Sequence, residues 1–201
     1  MSFDRALAVG KLVALSPYEA AQRLIALDLP RAALWTAFGL VLVLTAMLLS
    51  LHAGALLAGL EPGAVPQTVV ELMMTARDNP MLLLAAQAAF LFASAHVLHR
   101  VGRAFGGGGD FSGALGVVVA SQAGLAFLTG AQLLALLILP PLGALIGLAF
   151  LGFVVWHIPS FVMALHGFQN RLAVMAMILV CFIGIEIGLA VLSAILRLAV
   201  A

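Results

Sequence analysis

Charge is what this chain has least of. Among 201 residues only 8% are Asp, Glu, Lys or Arg, and these few gather between long uncharged stretches. A surface basic enough to neutralise a row of phosphates is excluded, and a formal net charge of +1 argues for neither nucleic acid nor an acidic substrate. Cysteine is nearly absent too. Cys181 stands alone in an apolar run, which excludes an intrachain disulfide, a cysteine-rich zinc site and thiol redox chemistry. Residues 1–15 break their apolar pieces with Asp4, Arg5 and Lys11, so the unbroken core of a cleaved signal peptide is missing there. The first membrane span is expected to act as an uncleaved anchor. No residue pattern asks for a cofactor.

Apolar length is what the chain has in abundance. Hydrophobic residues make up 65%, and the mean hydropathy is +1.24. A helix needs about 20 apolar residues to cross bilayer hydrocarbon, and several such runs follow one another, while nothing between them is long enough to bury a core of its own. The fold class expected is all-α: a polytopic integral membrane helical bundle of five transmembrane helices with an N-terminal amphipathic helix. Its organisation is expected to be an amphipathic segment over residues 1–31 and one membrane domain over residues 32–201.

Ser16-Pro17-Tyr18-Glu19 reads as a helix start, with Ser16 at the cap, Pro17 in the first position and Glu19 completing a capping box. Tyr18, Ala21, Leu24 and Ile25 then recur at helical spacing opposite Glu19, Gln22 and Arg23, which predicts a short amphipathic helix lying in the headgroup layer. The first span is expected from Ala32 to about Leu57. Residues 61–79 carry Pro62, Pro66, Glu71, Arg77 and Asp78 beside apolar pairs, and a second surface-lying helix is expected there. Asn79-Pro80 opens a second span running to about His99. Four consecutive glycines at 106–109 lose too much backbone entropy to sit in a helix, so a turn is predicted, with Asp110 capping the next span. Residues 112–165 hold no charge, and Pro140-Pro141 is the natural reversal between a third and a fourth span. A fifth runs from Leu172 to Leu196. Five spans fit best, with six as the rival.

Arginine and lysine are retained on the cytoplasmic side of a membrane. With five spans, Arg5, Lys11, Arg23, Arg31, Arg100, Arg103 and Arg171 share the amino-terminal side and only Arg77 and Arg197 lie opposite, so that side is expected to be cytoplasmic. Eight arginines against one lysine, with abundant Ala, Leu and Gly, point to a GC-rich bacterial genome and hence to an inner (plasma) membrane. Gly116, Ala120 and Gly124, Gly143 and Gly147, and Gly184 and Gly188 are small residues four apart that let helix backbones approach closely. Packing inside the bundle is the expected use of these pairs, and a homodimer the competing one.

An amphipathic segment, five spans, a Gly-rich turn after the second span and a short basic turn before the last form an order that resembles the Yip domain family. Arg103-Ala104-Phe105-Gly106-Gly107-Gly108-Gly109-Asp110-Phe111-Ser112 is similar to the glycine turn plus aromatic of bacterial members. Residues 167–173 match in placement. Asp28-Leu29-Pro30 stands where eukaryotic members carry Asp-Leu-Tyr-Gly-Pro. Eukaryotic members are implicated in vesicle trafficking and membrane shaping with Rab-type GTPases as partners, and the resemblance implies a noncatalytic membrane role for this chain.

Candidate chemistry is sparse. Glu186 is an ionisable group deep in a span, expensive there and a functional candidate by default. It lies about 22 Å beyond Arg171 at 1.5 Å per residue, a depth similar to Thr45, Gln87 and Gln122. One intramembrane polar cluster of these four is expected, serving either proton or cation handling or a buried structural hydrogen bond. His96, His99, Arg100 and Arg103 share a helix face. Arg100 and Arg103 are candidates for a lipid phosphate, against snorkelling as the plainer use, and His96, His99, Asp110 and His166 are a weaker metal candidate. The glycine turn lacks the strand and the Gly-Lys-Ser/Thr ending of a nucleotide loop. Ser112 with His157 or His166 lacks the Gly-x-Ser pattern and oxyanion hole of a serine hydrolase. The expected function is therefore not enzymatic: a protein embedded in the lipid bilayer that organises membrane or recruits a protein partner through its cytoplasmic face. The alternative is a small transporter or lipid-handling protein using the Glu186 cluster.

Overall fold

The computed structural model describes residues 11–13, 15–61 and 63–200, with the backbone alone at 140, 192–194 and 196–200. Asp4, Arg5, Pro62 and the side chain of Arg197 lie outside the described residues. Among the described residues the helices from Pro17 onward are, in order, α1 Pro17–Ala26, α2 Arg31–Ala58, α3 Gln67–Asp78, α4 Pro80–Ala104, α5 Phe111–Ile138, α6 Pro140–His166 and α7 Arg171–Val200. No strand occurs among the described residues. Among the described residues five helices, α2, α4, α5, α6 and α7, are long and apolar enough to cross a membrane and no sixth is, so this is a multi-pass membrane protein.

The breaks between helices follow from local chemistry. Pro140 and Pro141 have no N–H to continue α5, and both fit the first turn of a new helix. Only Leu139 separates α5 from α6. Asp110 caps α5 as expected, its Oδ1 accepting the Gly113 N–H at 2.8 Å, and Asn170 caps α7 through the Ala173 N–H at 3.1 Å. The expected capping box at α1 is not made. Ser16 has no side-chain cap bond, and its own N–H donates to the Leu12 carbonyl at 2.9 Å, because residues 11–13 are already helical. The amide that Glu19 would have capped is spent.

The chain divides into two compact units, and α4, α5 and α6 contribute to both. One comprises Met1–Arg31, Phe90–Val118 and Val155–Ala201; the other comprises Ala32–Ala89 and Val119–Val154.

In the second unit, α5 and α6 form an antiparallel hairpin held by small residues. A Cβ on Gly143 would meet Leu136 and one on Gly124 would meet Phe153, so these glycines pack as expected in a medium where close backbone approach replaces the hydrophobic effect. Gln132 Nε2 also donates to the Gly143 carbonyl at 3.3 Å. The surface helix α3 is tied to α2 where Ser50 Oγ donates to the Arg77 carbonyl at 3.1 Å.

In the first unit, the core joins Ala21 of α1, Leu91 and Ala95 of α4, Leu115 of α5, Val162 of α6 and Val174 of α7. His157 on α6 lies 2.9 Å from the Val13 carbonyl, which anchors the amino-terminal segment. A Cβ added to Gly184 or Gly188 on α7 would have nothing within 4 Å of it, so this pair does not pack within the chain.

Candidate functional site

The most constructed polar site lies in the first unit, where the turn between α4 and α5 receives the end of α6. Helix α4 ends through Gly106 at φ +84°. There the Gly107 N–H reaches back to the Gly102 carbonyl at 2.9 Å and the Gly106 N–H to Arg103 at 3.0 Å, the paired closure that a left-handed glycine permits. Helix α6 ends at Gly167, φ +74°, where the N–H groups of Gly167 and Phe168 both meet the Met163 carbonyl. Between these two endings lies His166, only 5% exposed and stacked on Phe168 with ring centroids 5.3 Å apart.

Glycine is required here by close approach rather than by the turn alone. A Cβ on Gly102 or on Gly107 would run into the His166 ring, and one on Gly109 would stand 2.6 Å from Leu165 Cγ and 2.9 Å from His166 Cε1. One on Gly113 would collide with Leu165 at 2.6 Å. The backbone supplies the partners. The Gly108 N–H donates to the His166 carbonyl at 3.3 Å and the Gly109 N–H to His166 Nδ1 at 3.3 Å. Because Nδ1 accepts, the ring proton sits on Nε2, which is buried beside the Leu98 carbonyl without reaching hydrogen-bond geometry. His99 Nδ1 is 3.2 Å from the Gly109 carbonyl and must donate to it. Phe111 completes the site, its ring 4.7 Å from His96 and 6.2 Å from His99.

His99 spends Nδ1 on Gly109, His166 spends Nδ1 on the same residue, Asp110 spends Oδ1 on its cap, and His96 Nδ1 is 3.1 Å from the Phe92 carbonyl. Among the described residues no three His, Cys, Asp or Glu side chains converge as a metal ion would need. What His99, Asp110 and His166 share is the turn, not a vacancy. Arg100, Arg103 and Phe105 are exposed around it.

The intramembrane polar cluster is not assembled within either unit. Thr45, Gln87 and Gln122 belong to the second unit and Glu186 to the first. Thr45 is buried and returns its hydroxyl to the Val41 carbonyl at 2.7 Å. Gln87 and Gln122 are half-buried, and Gln87 Oε1 is buried with no hydrogen-bond partner. Glu186 is exposed, not buried. The face that α7 packs inward is Val174, Ile178, Cys181, Ile185 and Leu189, and one residue beyond Ile185 is a rotation of about 100°.

A second polar node was not foreseen from the sequence, which marked Arg171 only as a topological charge. Its guanidinium lies over the Trp156 ring, 3.8 Å from the centroid, and Nη2 donates to Ser160 Oγ at 3.0 Å. Ser160 Oγ in turn donates to the Trp156 carbonyl at 2.6 Å. The available signal was spacing: Trp156 and Ser160 stand four apart on one helix face, one short turn before Arg171.

A scan against family models and searches of curated proteins and of solved structures find no match to this chain.

Proposed function

We propose that this protein is a noncatalytic membrane component of Yip type that recruits a protein partner, and through it organises membrane, at the face bearing the glycine turn. The observation that carries the reading is the division of labour at that turn. His99, Asp110 and His166 are consumed in fixing it, while Arg100, Arg103 and Phe105 stand outward from the fixed backbone, Phe105 being 70% exposed. Aromatic and arginine side chains on a rigid support are what a binding surface needs, since little side-chain and loop ordering is lost on contact. Counted along a chain of five spans, Lys11, Arg23, Arg31, Arg100, Arg103 and Arg171 would share one side and Arg77 would lie on the other. That distribution supports a cytoplasmic amino-terminal side in a bacterial inner membrane.

The test is a photo-crosslinking side chain at position 105, activated in cells. A discrete protein adduct is expected, lost when Arg100 and Arg103 are both changed to Gln. Adducts to lipid alone, together with solute flux in proteoliposomes that Glu186→Gln abolishes, would overturn the reading in favour of transport.

A further inference from the structure

Helix α7 is the least covered span. Only 6% of its most apolar stretch is buried, against 17% or more in the other four. On its outer side Leu172, Ala176, Leu179, Ile183 and Glu186 are all exposed, and their steps of four, three, four and three residues form one straight seam of the kind that pairs helices. Glu186 sits in that seam about three quarters of the way across a bilayer core of about 30 Å, at 1.5 Å per residue from Arg171. An acid left against lipid at such depth is strongly unfavourable.

We infer that a second copy of this chain covers the seam, two parallel α7 helices pairing about a two-fold axis along the membrane normal with Glu186 facing Glu186. Two copies insert in the same orientation, so the axis brings the same residue from each to the same depth with no further adjustment. A protonated carboxyl is both donor and acceptor, and is therefore complementary to its own copy. A foreign partner would have to present a matching group at that depth. A lone polar residue in an apolar heptad seam also fixes register and oligomeric state, a role that fits its isolation here. The inference is independent of the glycine turn and of what binds there.

The experiment is disulfide trapping in native membranes, in a Cys181→Ser background, with single cysteines at Leu179, Ile183, Val180 and Ile187. The first two lie in the seam, whereas Val180 lies about 80° and Ile187 about 60° around the helix from its centre. Leu179→Cys and Ile183→Cys are expected to form a homodimer band several-fold stronger than Val180→Cys and Ile187→Cys. In the Ile183→Cys chain, Glu186→Gln is expected to keep the dimer, because an amide is also self-complementary. Glu186→Leu is expected to weaken it on the order of tenfold, the size of an interhelical hydrogen bond in lipid. Absence of dimer at all four positions, strongest trapping at Val180 or Ile187, trapping of a different protein at Ile183, or an unchanged dimer in Glu186→Leu would each overturn the inference.

Discussion

Gly109 and His166, 57 residues apart, share a hydrogen bond of 3.3 Å from the glycine N–H to the imidazole Nδ1. That bond joins the start of α5 to the end of α6, and the same glycine offers its carbonyl to His99 of α4 at 3.2 Å. Three helix ends are therefore tied through one residue without a side chain. These bonds and the close packing of the glycines on His166 hold the turn in place, and a turn so held is a better platform for Phe105 and its neighbouring arginines than a free loop.

Gly102→Ala is expected to destabilise the protein by about 1–3 kcal/mol, the usual result of forcing an atom into a filled site, because the new methyl would enter the His166 ring. Gly108→Ala is the matched control. Nothing lies within 4 Å of its Cβ position, and its φ is not in the left-handed region. Thermal unfolding of both variants in one detergent should separate them clearly, and equal midpoints would contradict the close-approach account.

His166→Ala removes the acceptor of the buried Gly109 N–H, at a cost of about 1–3 kcal/mol. His166→Asn places an oxygen near the position of Nδ1 and is expected to recover part of the loss. Hydrogen exchange gives the direct readout. The Gly109 amide should lose at least about tenfold protection in the alanine variant and less in the asparagine variant.

How far these features could be read from residues alone depended on their range. Helix limits were legible because prolines, Asp110 and the glycine run act within a few positions. Pro140-Pro141 placed the reversal, and Gly106 the end of α4. The reason for the glycines was not legible, since it is a histidine 57 positions away. Glu186 was misplaced inward because depth along a helix follows from counting, whereas rotation depends on which face its neighbours bury. Ile185 turned out to be on the packed side, and that alone turned Glu186 outward. The Ser16 box failed for a local reason, a helical segment upstream that took its amide.

The Arg171 guanidinium over Trp156 is expected to show a coupling of about 0.5–2 kcal/mol in a double-mutant cycle of Arg171→Gln and Trp156→Leu. Arg171→Lys should behave more like Gln than like Arg, because an ammonium cannot stack flat on the ring while donating to Ser160. A coupling near zero would show that the stacking contributes nothing to stability.

Asp78 is held below the ordinary carboxylate range first by its hydrogen bond from Arg77, with the charge of that side chain adding to the effect. The bonds run from Arg77 Nε and Nη2 at 2.6 and 2.9 Å. A depressed carboxyl contributes stability that is present above its unfolded pKa and lost as pH falls through the folded one. The two side chains are 45% and 54% exposed, so solvent screening is expected to keep the contribution small. Carboxyl titration by NMR should find the Asp78 midpoint below the ordinary carboxylate range, and Arg77→Gln should raise it; no change in Arg77→Gln would refute the assignment.

A binding surface on the fixed turn should keep its partner when the tagged protein is extracted from its native membrane into nanodiscs and everything retained is identified by mass spectrometry. One protein is expected in stoichiometric amount with the native chain and is expected to be lost from the Phe105→Ala, Arg100→Gln, Arg103→Gln variant, whose unfolding midpoint should be unchanged. An identical set of retained molecules in both would contradict it.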